Sequence, residues 1–210
     1  GQNEYENAEM PVSAKQIEYV FITHAHIDHT GMLPKLWHDG FRGKVYTTRE
    51  TANLCTIMLA DSAHIQMSDA EYQTKKNKRK GLPAVEPAYD MNDVNELLRN
   101  VRPCGYDETI RIDEGLVVSF SDIGHLMGSA AISLWLTDEG VTKKIVFSGD
   151  VGNLNQPILN DPKLIQTADY VVVESTYGDR EHAARVDPTP AMVDVIQRTL
   201  DRGGNVIIPS

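Results

Sequence analysis

Ile17-Glu18-Tyr19-Val20-Phe21-Ile22-Thr23 runs straight into His24-Ala25-His26-Ile27-Asp28-His29-Thr30-Gly31, and the junction of the two stretches decides how the chain is read. The first is rich in β-branched and aromatic residues, which predicts a strand over residues 17–23. In extended chain, residues two apart share a face, so His24 and His26 can address one metal ion. The turn that follows presents Asp28 and His29 to another. Imidazole nitrogen and carboxylate oxygen together suit zinc, and the histidines disfavour magnesium and calcium. The ordinary alternative is a polar loop that happens to be rich in histidine. Three of the chain's seven histidines fall within these six residues, which weighs against it.

Two later strand-like runs, at 116–121 and 144–147, end in the same kind of residue. The first leads into Asp122-Ile123-Gly124-His125 and the second into Ser148-Gly149-Asp150. Ligands in α/β folds gather at the carboxyl ends of strands, which places His125 and Asp150 to converge with the first cluster. A carboxylate such as Asp150 can bridge two metal ions ~3.5–4 Å apart. Alone, a Gly-His or Gly-Asp pair reads as a turn; the cluster upstream reverses that preference.

Further strand-like runs at 45–47, 108–112, 131–136 and 170–173 alternate with helical patterns at 32–39, 50–66, 93–100 and 190–201. Gly203-Gly204 stops the last helix, and residues 205–209 read as the start of another strand. In the second helix Leu54, Ile57, Met58 and Ile65 recur at helical spacing and are the expected sheet-facing stripe. Lys75-Lys76-Asn77-Lys78-Arg79-Lys80 opens a polar stretch to Pro87 that reads as an exposed insertion. The alternation predicts an α/β fold with helices outside and sheet inside.

Composition sets bounds on this reading. With 210 residues and 41% hydrophobic content the chain can bury one good-sized core, or one domain and part of another. No apolar run approaches the ~20 residues needed to span a bilayer. The polar start Gly1-Gln2-Asn3-Glu4 lacks the pattern of a signal peptide, so the expected setting is cytoplasmic, with no membrane partner. Cys55 and Cys104 have no metal-type spacing and read as buried free thiols. A net charge of -10 argues against a whole-surface attraction to nucleic acid, so any such contact is local or metal-assisted.

His24-x-His26-x-Asp28-His29, Gly124-His125 and Ser148-Gly149-Asp150 resemble, in order and strand context, the metal motifs of the metallo-β-lactamase superfamily. Glu174-Ser175-Thr176-Tyr177-Gly178-Asp179 resembles the acidic first motif of its β-CASP branch, and residues 202–210 resemble the opening of that branch's inserted domain. The similarity spans nearly the whole chain. It implies an αββα sandwich over residues 1–180, incomplete because its first strands are absent, and the beginning of a β-CASP domain over 181–210. It further implies two zinc ions per complete site: His24, His26 and His125 on one, Asp28 and His29 on the other, with Asp150 bridging. The branch, which includes bacterial relatives of the cleavage-and-polyadenylation endonuclease, acts mainly on RNA. A zinc-dependent phosphodiester hydrolase acting on RNA rather than DNA is therefore the expectation, with a hydroxide activated by two metals attacking phosphorus. Asp28 is expected to orient the nucleophile's proton, and Glu174 to hold a histidine general acid.

The chain also departs from the branch's pattern. Only about seventeen residues precede the first strand, and the histidine acid and the last histidine ligand of the branch lie beyond Ser210. The expectation is a piece of a longer polypeptide whose exposed sheet is covered by a second copy or a complementary polypeptide. On its own it should bind the second metal more weakly than the first and be inactive. Two other readings remain open at this point: a small-molecule hydrolase of the same superfamily acting on a thioester or lactam, and a non-catalytic partner subunit. Among weaker candidates, the basic run at 75–80 could grip a phosphate backbone, and Ser129 could donate either to a substrate phosphate or to its own turn. His38, His64 and His182 read as structural or surface residues.

Overall fold

The computed structural model describes residues 10, 12–180 and 187–208, so His182 and the final residue of the expected last strand, Pro209, lie outside it. The chain divides into two compact units, Gly1–Glu174 and Ser175–Ser210. The first holds strands β1 (Tyr19–Phe21), β2 (Lys44–Thr48), β3 (Val101–Cys104), β4 (Ile110–Asp113), β5 (Leu116–Asp122), β6 (Ala130–Asp138), β7 (Val141–Phe147) and β8 (Tyr170–Val172). Its helices are α1 (Ile27–Thr30), α2 (Leu33–His38), α3 (Arg49–Lys78) and α4 (Met91–Leu98). The second unit contains α5 (Thr189–Asp201).

Two sheets result. One is parallel, in the order β1-β2-β3; the other runs β4-β5-β6-β7-β8 and is antiparallel except for the parallel β7–β8 pair. Helices α2, α3 and α4 bury Leu36, Trp37, Leu59, Val94 and Leu97 with Phe41 and Val45 in one core. A second core lies between the sheets, where Phe21 and Tyr46 meet Val118, Phe120 and Ile132. This layering of helices, sheet and sheet is the α/β arrangement expected, held together by the two cores. No described helix is long and apolar enough to cross a membrane.

Local chemistry explains the boundaries. Thr48 closes β2 and caps α3, its hydroxyl accepting from Thr51 N. At the start of α4 the Asp90 carboxylate accepts from Asn92 N and Asp93 N while Asp90 N donates to Asp93, a reciprocal cap. Cys55 and Cys104 are buried free thiols, and burial pushes Cys55 up to about 11.

Several expectations need correction. Helix α3 runs 30 residues, through the first four residues of the basic run, because lysine favours helix and nothing breaks the pattern before Gly81. It packs through Thr51, Ala52, Cys55, Leu59, Ala63 and Ala70, whereas Leu54, Ile57 and Ile65 are exposed. Small side chains bring the helix close to its sheet, so the larger apolar residues do not mark the inner face. Strand β3 went unforeseen because Pro103 demotes it; it lies at a sheet edge, where a missing N–H is tolerated. Residues 204–208 form no strand, having no partner within the described chain.

Candidate metal centre

Strands β5, β7 and β8 run in the same direction, so His125, Asp150 and Glu174 leave the sheet along one edge. The end of β1 is tied to that edge by Ala130 N, which donates to Thr23 O at 2.8 Å. His26 sits at the N-cap position of α1, and that helix carries Asp28 and His29. Thr30 anchors the turn, its hydroxyl donating to Ala25 O and His26 O.

The loop that presents His125 is held at several points. Ser129 Oγ accepts from His125 N at 3.0 Å and Leu126 N at 3.2 Å, while Tyr106 OH donates to Ser129 O. Thr48 and Thr51 hydroxyls both donate to Gly128 O. Gly128 has φ +92°, and a Cβ there would come within 2.7 Å of Thr51 N, so only glycine serves. Ser129 thus accepts from its own turn and holds the backbone of His125. Asp150 is carried by an equally tight turn: Ser148 Oγ donates to Gly149 O and accepts from Glu174 N, and Glu174 Oε1 accepts from Val151 N.

The donors converge. His24 Nε2 lies 3.0 Å from His26 Nδ1, which lies 3.2 Å from His125 Nε2. Asp150 Oδ2 is 3.6 Å from His24 Nε2 and 3.5 Å from His125 Nε2. These four residues offer donor atoms within 4.8 Å of one another. Tetrahedral zinc with bonds of ~2.0–2.1 Å places its ligands ~3.3 Å apart, so the set fits such an ion. Asp150 Oδ1 points the other way, 3.3 Å from His29 Nε2, which is itself 3.6 Å from Asp28 Oδ2. Asp150 thus lies between the group of His24, His26 and His125 and the neighbouring Asp28–His29 pair.

Thr23 was not legible as a site residue. Its hydroxyl lies 3.1 Å from His24 Nδ1, and a proton on Nδ1 donated to it leaves the Nε2 lone pair facing the cluster. Nothing but adjacency to His24 marks it in the sequence. His38 pairs with Asp93 at 2.9 Å and ties α2 to α4, and His64 is an exposed residue of α3; neither approaches the centre.

Burial, reinforced by neighbouring His29, lowers His24 to about 4, and burial likewise lowers His125. Both are neutral at pH 7 and available as ligands. The sign for metal-free protein follows. A folded pKa below the unfolded 6.5 costs nothing above pH 6.5 and removes stability as pH falls from there to about 4, because the unfolded chain takes the proton first. Melting of metal-free protein should therefore drop between pH 7 and 4.5, and His24→Asn should remove much of the drop. An identical pH dependence in that variant would contradict a neutral, buried His24.

Residues 2–202 match the β-lactamase superfamily domain. The chain belongs to the metallo-β-lactamase superfamily. Ribonuclease TTHA0252 of Thermus thermophilus is 37% identical over 196 residues, 93% of this chain and 40% of its own length. The transcription termination factor FttA of Pyrococcus abyssi is 29% identical over 198 residues, 92% of this chain and 28% of its own. FttA of Methanothermobacter thermautotrophicus is 30% identical over 215 residues, 99% and 31%. With these relatives the superfamily member falls in the β-CASP branch, and it spans less than half of each relative's length.

Proposed function

We propose that the protein carrying this chain is a ribonuclease that hydrolyses phosphodiesters at a centre of two zinc ions. The observation that supports the reading is Asp150, whose Oδ2 faces His24 and His125 of the four-residue group while its Oδ1 faces His29, the neighbour of Asp28. Bound there, two zinc ions would supply a hydroxide at neutral pH and neutralise charge on the phosphoryl oxygens. The remaining roles belong to the chain. Asp28, whose side chain is 74% exposed, has an oxygen free of burial to orient the nucleophile's proton. Glu174 holds the Asp150 turn through Val151 N, and on this reading it would also orient an imidazole acid. RNA as substrate is supported by the ribonuclease at 37% identity. A cytoplasmic setting accords with that substrate and with two free thiols. The exposed apolar edge strand β8, Tyr170–Val172, is where further chain or a second subunit would pack.

The test uses full-length protein. Zinc-loaded enzyme should cleave a fluorescent RNA, lose that activity to a chelator and regain it with zinc. Hydrolysis of a lactam or thioester with RNA left intact would overturn the substrate class.

A further inference from the structure

The C-terminal end of α3 is far from the metal centre and differs in charge from the rest of the chain. The 30-residue helix is about 45 Å long. Its first turn touches the His125 loop through Thr48 and Thr51, so its last turn projects away from the site. Five of the chain's 20 basic residues fall within positions 75–80, on a chain whose net charge is -10. Lys75 has an exposed partner in Glu71 at 3.7 Å, whereas Lys76, Lys78, Arg79 and Lys80 form no ion pair with a described residue. Lysine in a final turn complements the helix dipole, but that gain falls off within one turn and does not account for a cluster that continues past the helix end.

The end is also a built surface. Residues 82–85 fold back on one side of the helix: Leu82 N donates to Asn77 O, Asn77 Nδ2 to Pro83 O, and Val85 N to the Thr74 hydroxyl. That side is thereby occupied. Tyr72, Lys75, Lys76 and Arg79 stand at i, i+3, i+4 and i+7, one helical face, and all four are exposed, with Arg79 still in helical backbone conformation. An aromatic ring in line with cations is what a single-stranded nucleic acid uses, bases stacking on the ring and phosphates meeting the charges. An acidic peptide would need the cations but not the ring.

Resting on the ribonuclease reading above, we propose that Tyr72, Lys75, Lys76, Arg79 and Lys80 form an RNA-binding exosite that holds the backbone of a long substrate about 35–45 Å along α3 from the helix end that borders the metal centre. A substrate reaching both places needs roughly a dozen stacked nucleotides at ~3.4 Å each. Length should therefore decide whether the exosite matters.

The experiment compares a five-nucleotide with a thirty-nucleotide RNA on full-length protein, wild type against Lys75→Gln, Lys76→Gln, Arg79→Gln, Lys80→Gln combined. On the long RNA the variant's KM should rise on the order of 10- to 100-fold, and the slope of log affinity against log salt should flatten by about 2–3, as ~0.7 per lost phosphate contact requires. Kinetics on the short RNA should not change, which also shows that the variant is folded. Tyr72→Leu should weaken long-RNA binding on the order of tenfold with the salt slope unchanged. Charge-preserving Lys75→Arg, Lys76→Arg, Lys80→Arg should behave as wild type. Equal KM and salt slope on long RNA in the glutamine variant would overturn the exosite, as would equal losses on both lengths. Failure of wild-type enzyme to cut either RNA would instead overturn the functional reading.

Discussion

Asp150→Ala in the full-length protein is expected to lower RNA hydrolysis by ~10³-fold or more while the protein still folds. The carboxylate faces His24 and His125 through one oxygen and His29 through the other, at 3.3–3.6 Å. On the proposed two-zinc reading its loss would remove a ligand from each ion at once, and metal-derived charge stabilisation is worth several kcal/mol, or tenfold per ~1.4 kcal/mol. The fold should survive because the side chain is 29% exposed and neither core cluster includes it. Asp150→Asn keeps the shape but removes the charge and should be nearly as damaging. Single-turnover rates with circular dichroism would check both; activity near wild type in either variant would show that Asp150 does not bridge.

A change with no ligand chemistry should be almost as costly. Gly152→Ala puts a Cβ 1.9 Å from Gly124 O and 2.6 Å from His125 N, both backbone atoms of the His125 loop. Neither can yield as a side chain would, so the loop must move, and close-packed interiors transmit such shifts. His125 then leaves its place beside His26 and Asp150. Displacements near 1 Å at a catalytic constellation cost on the order of 10²-fold, which is the expected fall in activity, together with weaker zinc binding. Unchanged zinc affinity in Gly152→Ala would mean that the loop does not set the geometry of the centre.

How much of this was legible in the sequence depends on the range of the interaction concerned. His24, His26, Asp28 and His29 are local, and an extended segment followed by a turn orders them without tertiary help. His125 and Asp150 were readable because each follows a strand and a glycine. What stayed hidden was the apparatus holding them. Thr23 beside His24, Tyr106 on Ser129 O and the hydroxyls of Thr48 and Thr51 on Gly128 O join residues up to 80 positions apart, and no periodicity announces them. The inner face of α3 was misread for a related reason. Contact distance, set by Thr51, Ala52 and Ala63, outweighed side-chain size, so apolar spacing picked out Ile57 and Ile65 on the open side. Pro103 hid β3 because its cost depends on whether the strand is central or at an edge, which only the pairing shows.

The most direct test of the account is zinc titration of the metal-free full-length protein by calorimetry, with elemental analysis of the product. Two zinc ions per chain are predicted. His125→Ala should weaken the site of His24, His26 and Asp150, and His29→Ala should weaken the other. Substoichiometric zinc in the wild type, or two sites unaffected by either substitution, would contradict the claim that these residues form a two-metal centre.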